Sequence, residues 1–173
     1  MRNFEGLKVF DRIWVVGPQR SGTRIVSKMI AHDLKCRVFD EREFAIDSLS
    51  RLWIMVGETQ DEETAVIHGP GITRWVHMLA SRNDAVIFMM RAIEEIKASE
   101  RRIDWLHNMA EAMKYDSEGS SAEIKQAYWY DEQRDKIAHP FTVIYPEDIF
   151  GHPLWVDPGD RAAFTWDQTK KIP

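Results

Sequence analysis

The stretch that decides the fold is Ile13-Trp-Val-Val-Gly-Pro-Gln-Arg-Ser-Gly-Thr-Arg24. Its four leading apolar residues are typical of a strand that is buried on both faces of a sheet. Gly17 and Gly22 allow tight backbone turns, and apolar residues with helical spacing follow from Ile25. A strand, a glycine-rich loop and a helix in this order predict an anion site formed by backbone N–H groups and the helix N-terminus.

The loop departs from ATP-binding loops at its last two positions. Such loops carry a Lys that contacts the β- and γ-phosphates, followed by a Ser or Thr that holds Mg²⁺. Here Thr23 and Arg24 occupy those positions. The loop therefore predicts a site that serves Mg-ATP poorly. In that site Arg20 makes a two-pronged contact to a phosphate or sulfonate, and the Ser21 and Thr23 hydroxyls donate hydrogen bonds.

Short, β-rich apolar runs alternate along the chain with longer helical patterns, which predicts a three-layer α/β fold. The central sheet is predicted to be mostly parallel, with about five strands flanked by helices. The predicted strands are Arg12–Val16, Arg37–Phe39, Thr64–His68, Ala85–Met90 and Phe141–Tyr145. The predicted helices are Thr23–Leu34, Phe44–Val56, Ala92–Tyr115 and Ala122–Ala138.

Composition limits the classes of function that this chain can have. Its 173 residues suit one domain with a real core, and the formal net charge of −5 argues against nucleic acid or an anionic membrane as a partner. Cys36 is the single cysteine, so an internal disulfide is excluded and a reducing compartment is favoured. No apolar stretch approaches the roughly 20 residues of a membrane span, and the first residues hold no signal-peptide core. We therefore expect a cytoplasmic protein.

Arg20-Ser21-Gly22-Thr23 resembles the loop of sulfotransferases that use 3'-phosphoadenosine 5'-phosphosulfate (PAPS), which reads (K/R)-(S/T)-G-T-T after a strand. Arg24 departs from the second threonine of that pattern. In the family an Arg that closes a later strand and a Ser further on hold the 3'-phosphate, and Arg91 and Ser99 have this spacing. The resemblance implies that the nucleotide is bound by Gly17, Arg20, Ser21, Gly22, Thr23, Arg24, Arg91 and Ser99.

Arg91 and Ser99 also have an ordinary structural interpretation. Arg91 could form a salt bridge with Glu94 or Glu95 on the helix that follows it, and Ser99 could be a surface serine of the same helix. Combined with the loop, the spacing of Arg91 and Ser99 favours the phosphate site.

The resemblance also implies the catalytic residues. Arg20 would stabilise charge on the transferred group, and His68 resembles the strand-ending histidine of the branch that acts on alcohols and phenols. An imidazole can accept a proton from an acceptor hydroxyl near neutral pH. Glycan-directed members use a glutamate after the second strand, so Glu41 and Glu43 are rival candidates for the base.

The resemblance spans about residues 12–155, including Tyr145-Pro-Glu-Asp-Ile149, where Glu147 and Asp148 are expected to cap a short helix. It implies a single P-loop domain over 1–173, with an extended tail at 156–173. The implied reaction moves a sulfuryl group from PAPS to a hydroxyl or amine of a small-molecule or glycan acceptor, and it releases adenosine 3',5'-bisphosphate (PAP). No metal is required, and neither His77 nor His107 has the spacing of paired metal ligands.

Two other classes of protein fit the same pattern. One is a P-loop kinase or nucleotide hydrolase, which would use Mg²⁺ and an acidic strand-end residue such as Asp40, although the missing Lys argues against it. The other is a non-catalytic nucleotide-binding or scaffold protein that keeps the fold.

Overall fold

The computed structural model describes residues 4–41, 43, 49–102, 134–137 and 140–156. In this part of the chain five parallel strands form one sheet in the order β2-β3-β1-β4-β5. The strands are β1 Arg12–Val16, β2 Arg37–Asp40, β3 Ala65–His68, β4 Asp84–Met89 and β5 Phe141–Ile144. The helices are α1 Thr23–Leu34, α2 Leu49–Glu58, α3 Val76–Leu79 and α4 Ile93–Arg102. Short 3-10 helices occupy Glu5–Val9, Thr59–Asp61, Pro70–Trp75 and Pro146–Ile149.

β1 lies at the centre of the sheet, and this position explains its unbroken apolar sequence. Trp14 lies opposite Ile67 of β3 on one side and Val86 of β4 on the other. Because successive side chains of a strand point to opposite faces, Trp14 enters the core beneath α2 and α3, whereas Val15 enters the core beneath α1. Both faces of the sheet are therefore covered by helices, which gives the three layers expected from the sequence.

α1 covers one face of the sheet through a stripe of buried apolar residues at helical spacing. The stripe packs against the inward side chains of β1, β3 and β4, and its members are Val26, Met29, Ile30 and Leu34. Full burial of each such side chain contributes about 1.5–3 kcal/mol. The helix begins directly after Gly22, whose φ of 108° turns the chain sharply, and it ends at Leu34, directly before Lys35, which has a φ of 55°. The predicted bounds of this helix, like those of β1, are confirmed.

At the ends that the structure describes, the start of β2, the end of β3 and the start of β5 are also as predicted, and the other boundaries differ by one or two residues. β4 ends at Met89 rather than Met90, so Arg91 is the second residue beyond the strand. α2 ends at Glu58 rather than Val56, and the predicted start of that helix, 44–48, lies outside the described residues. So do 103–115 of the third predicted helix, most of 122–138 and nearly all of the tail at 156–173. None of the helices in the described ranges is long and apolar enough to cross a membrane.

A buried carboxylate connects β1 to the start of β4, at the edge of the sheet opposite the loop. Asp84 is fully buried and accepts hydrogen bonds from Arg12 Nε at 3.0 Å and Trp14 Nε1 at 2.9 Å. It also accepts bonds from the backbone N–H of Ser81 at 2.8 Å and from the Ser81 hydroxyl at 2.9 Å. A buried charge of this kind is tolerated because its oxygens are so fully bonded.

We predict that Asp84→Ala lowers the free energy of unfolding by about 3–5 kcal/mol, because it leaves the largely buried Arg12 guanidinium without its counter-charge. Urea denaturation followed by circular dichroism measures this loss. Asp11→Ala is the matched control, since the Asp11 carboxylate accepts an exposed hydrogen bond of 3.3 Å from Asn83 Nδ2, and its backbone bonds survive the substitution. The control should change stability by less than about 0.5 kcal/mol. Equal losses in the two variants would contradict the role given to Asp84.

Candidate functional site

The carboxyl ends of β1, β2, β3 and β4 meet at one edge of the sheet, where the Gly17–Arg24 loop crosses from β1 to α1. This edge is where parallel α/β sheets bind ligands. Asp40 ends β2, His68 ends β3, and Arg91 follows β4. The strand order therefore brings most of the candidate residues to the loop.

Backbone geometry gives the loop its tight curvature. Gly17 has a φ of 132°, Arg20 a φ of 67° and Gly22 a φ of 108°, all in the region that non-glycine residues rarely adopt. A Cβ atom on Gly17 would lie 2.6 Å from the carbonyl oxygen of Met89, so the loop passes directly against β4. The curvature turns the chain into α1, whose first-turn N–H groups lack carbonyl partners within the helix.

Hydrogen bonds of two hydroxyl groups, those of Thr73 and Ser21, stabilise the conformation of the loop. The Gly17 N–H donates to Thr73 Oγ1 at 2.9 Å, and the Thr73 hydroxyl lies 2.7 Å from the Pro70 carbonyl oxygen. The Ser21 hydroxyl, expected to donate to the anion, donates to the Pro18 carbonyl oxygen at 2.7 Å and so shapes the loop. Thr73 is fully buried, but the sequence around it carries no motif that could have marked it.

The structure brings Arg20, Arg91 and Ser99 together. Arg20 Nε donates to Ser99 Oγ at 3.0 Å, and Arg91 Nη1 donates to the Arg20 carbonyl oxygen at 3.2 Å. The same Arg91 guanidinium forms a salt bridge of 2.7 Å to Glu95, one helical turn away. Arg91 thus makes both the salt bridge to Glu95 that its structural interpretation predicts and a contact with the Gly17–Arg24 loop.

The loop lies in a region of concentrated positive charge. Burial of the Arg20 guanidinium, followed by repulsion from Arg102 and Arg91, holds the pKa of Arg20 below its ordinary value, while Glu100 acts in the opposite direction. An arginine guanidinium carries its positive charge at neutral pH, so this cluster is cationic. An anion bound beside Arg20 would relieve this repulsion, which is the electrostatic property that a phosphate or sulfate site requires.

The opposite side of the loop holds a buried polar chain. His68 Nε2 lies 3.0 Å from Thr23 Oγ1, and His68 Nδ1 lies 3.3 Å from Asp40 Oδ2. Arg24 Nη2 forms a salt bridge of 2.9 Å with the same Asp40 oxygen. The structure therefore places the Arg24 guanidinium against the end of β2, where it contacts Asp40.

The two candidate glutamates lie in different surroundings. Glu41 Oε2 accepts the Gly71 N–H at 2.8 Å, and the Glu41 N–H donates to the His68 carbonyl oxygen at 2.9 Å. Glu43 is exposed, with its carboxylate 3.8 Å from Arg37. Of the two, Glu41 lies beside the segment that follows His68, whereas Glu43 lies at the solvent surface.

A second cluster of polar side chains, His32, Asp33 and His152, joins the end of α1 to the C-terminal segment. Their possible ligand atoms all lie within 4.8 Å of one another. The Leu154 N–H donates to His152 Nδ1 at 3.1 Å, so a neutral His152 carries its proton on Nε2, which lies 3.2 Å from Asp33 Oδ1. A metal ion would have to displace that proton, so we assign the cluster a structural role.

The expected cap of the last 3-10 helix is confirmed for Asp148, whose carboxylate accepts the Tyr145 N–H at 2.9 Å. That His77 and His107 form no metal site stays a prediction, and His107 lies outside the described residues.

No family model and no curated protein sequence matches this chain. Among solved structures, the chain is similar to a shikimate kinase from Acinetobacter baumannii in complex with shikimate, with a TM-score of 0.51 and 14% identity over 82% of this chain and 86% of that one. A sugar kinase from a Janibacter species has a TM-score of 0.46 at 10% identity, covering 78% of this chain and 84% of that one. A shikimate kinase from Bacteroides thetaiotaomicron has a TM-score of 0.44 at 11% identity, covering 83% of this chain and 90% of that one. The first likeness confirms the three-layer α/β P-loop fold, but it does not extend to the sulfotransferase family in particular.

We predict that Gly17→Ala destabilises the protein by about 1–3 kcal/mol, because the new methyl group meets the Met89 carbonyl oxygen and the backbone keeps a positive φ. Gly57→Ala is the control, since Gly57 lies in α2 with open space around it. That substitution should stabilise the helix by about 0.5–1 kcal/mol. Thermal and urea denaturation measure both effects, and a neutral Gly17→Ala would refute the close approach of the loop to β4.

Proposed function

We propose that this protein binds a nucleotide donor at the Gly17–Arg24 loop and transfers a group from it to a small-molecule acceptor. The observation that carries the proposal is the position of Arg20, held between Ser99 and Arg91 at the N-terminus of α1. Backbone amides, a helix dipole and half-buried guanidinium groups at one point form a site for phosphate. The P-loop fold supports nucleotide binding and group transfer in general, and it does not by itself select PAPS or ATP as the donor.

The kinase version of this proposal is supported by the likeness to a shikimate kinase. It needs a cation at the terminal phosphates and a ligand for Mg²⁺. Thr23 stands in the place of the usual Lys, and its hydroxyl contacts His68. Asp40, the acidic candidate for Mg²⁺, is paired with Arg24 at 2.9 Å. A kinase built on this site would therefore rely on Arg20 or Arg91 for the phosphates and would have to release Asp40 from Arg24.

The sulfotransferase version is favoured by these same side chains, because a phosphosulfate donor needs neither the Lys nor the metal. Arg20 and the loop amides would balance charge on the bridging and sulfonate oxygens of PAPS. Arg91 and Ser99 would hold the 3'-phosphate, so that binding energy remote from the reaction positions the donor. His68 would be the base, with Glu41 as its rival. The product nucleotide would be adenosine 3',5'-bisphosphate.

Isothermal calorimetry with adenosine 3',5'-bisphosphate, and with ATP in the presence and absence of Mg²⁺, tests the proposal. We expect one of these nucleotides to bind, and Arg20→Ala to weaken its binding roughly tenfold or more, as the loss of a charge-assisted hydrogen bond predicts. Metal-independent bisphosphate binding that Arg91→Ala also weakens would select PAPS as the donor. Binding that depends on Mg-ATP would select the kinase.

Lys97→Ala is the control, because Lys97 lies on the same helix as Ser99 and its ammonium group forms a 3.3 Å salt bridge with Glu94. It should leave the affinity unchanged within about twofold, since Lys97 has no place in the proposed site. The proposal fails if none of the nucleotides binds, or if Arg20→Ala and Lys97→Ala weaken binding equally. Binding without transfer to any acceptor would leave only the non-catalytic alternative.

A further inference from the structure

His68 lies inside the molecule between the loop and the end of β2, and both of its ring nitrogens face polar atoms. Its side chain is 5% exposed. Nε2 lies 3.0 Å from Thr23 Oγ1, and Nδ1 lies 3.3 Å from Asp40 Oδ2. The position of the proton on this ring is therefore governed by protein atoms rather than by bulk water.

These neighbours favour one tautomer of the neutral ring. An ionised carboxylate only accepts hydrogen bonds, so the proton is stabilised on Nδ1, where it faces Asp40. Nε2 is then an acceptor, and the Thr23 hydroxyl, which can donate, completes the chain. The 3.3 Å contact between Nδ1 and the Asp40 carboxylate is an electrostatic contact without hydrogen-bond geometry, and catalytic contacts of this kind often align only when substrate binds. Arg24 holds the Asp40 carboxylate in place from its other side.

We infer that Asp40 is a positioning residue that holds His68 as the Nδ1–H tautomer, and that His68 accepts a proton through the Thr23 hydroxyl. The second part rests on the proposed function. The acceptor oxygen forms a bond to the transferred sulfur or phosphorus atom while the bond from that atom to the donor's phosphate oxygen breaks. The acceptor's proton passes to Thr23 Oγ1 as the proton of Thr23 passes to His68 Nε2. An imidazolium then stands beside the Asp40 carboxylate, which stabilises it.

The arrangement also gives Thr23 a role at a position where ATP-binding loops carry Lys. Thr23 is buried at the first turn of α1, and its Oγ1 lies 3.0 Å from His68 Nε2. A Lys at this position would bring a cation to Nε2 and remove the hydroxyl. Thr23, whose presence in place of the Lys argues against Mg-ATP, therefore also supplies the hydroxyl that contacts the proposed base His68.

Nitrogen-15 NMR of the whole protein without nucleotide tests the tautomer, because protonated and unprotonated ring nitrogens have well-separated shifts. We expect the proton of neutral His68 on Nδ1, and we expect it on Nε2 for His152, which serves as an internal reference. In Asp40→Ala the His68 proton should move to Nε2, since the Thr23 hydroxyl can also accept a bond. Asp40→Asn is the second variant if Asp40→Ala does not fold. In Asp40→Asn the Nδ1–H form of His68 should be less populated than in the unaltered protein.

The result that overturns the positioning role is an Nε2–H tautomer of His68 in the unaltered protein. An Nδ1–H tautomer that persists undiminished in the folded Asp40 variants would overturn it as well. Both results are obtained without nucleotide, so the experiment can contradict the positioning role of Asp40 independently of the proposed function. If no nucleotide binds but the tautomer is found as expected, the positioning of His68 stands and the proposed function falls.

The relay through Thr23 is tested by a pair of substitutions in the protein with the donor that calorimetry selects. Turnover is followed as the release of the product nucleotide. Thr23→Ser keeps the hydroxyl and should retain activity within a few-fold, whereas Thr23→Val should lose about 10²–10⁴-fold in kcat, the usual contribution of general base catalysis. Equal turnover of the two variants would overturn the relay, and absence of turnover in the unaltered protein would remove it together with the proposed reaction.

Discussion

The central strand β1, paired with β3 on one side and β4 on the other, is the constraint on which the site depends. Because its apolar residues are buried on both faces, it occupies an interior position in the sheet. Its C-terminal end then meets the ends of β3 and β4, and the loop that follows it must turn against Met89. The close approach of Gly17 to that residue sets the loop between Arg91 on one side and His68 on the other.

Because the loop lies between Arg91 and His68, the site has two halves with different electrostatic properties. Arg20, Arg91 and Ser99 form a cationic half toward α4, which suits a phosphate. On the other side the buried His68 lies between the Thr23 hydroxyl at 3.0 Å and the half-buried Asp40 carboxylate at 3.3 Å. One half is suited to hold a donor, and the other is suited to move a proton. Their meeting at the N-terminus of α1 is the physical reason for proposing group transfer rather than binding alone.

The sequence predicted the fold well because the relevant signals are local. The apolar runs give the strands, and Gly17 and Gly22 mark the turn into α1, whose bounds were predicted to the residue. Contacts between distant segments could not be predicted in the same way. The pairing of Arg24 with Asp40 depends on how α1 crosses the sheet toward β2. The hydrogen bonds from Gly17 to Thr73 and from Arg12 to Asp84 join segments that are far apart in sequence. The roles of the predicted site residues stay predictions, since a fold hosts many chemistries.

A crystal structure of the protein with adenosine 3',5'-bisphosphate, or with Mg-ATP if that is the nucleotide it binds, tests the central claim most directly. We predict that one phosphate lies against the first-turn amides of α1, within hydrogen-bond distance of Arg20. For the bisphosphate, the 3'-phosphate should contact Arg91 and Ser99. A nucleotide bound away from the Gly17–Arg24 loop, or bound there with Arg20 still on Ser99 and no contact to phosphate, would contradict the account.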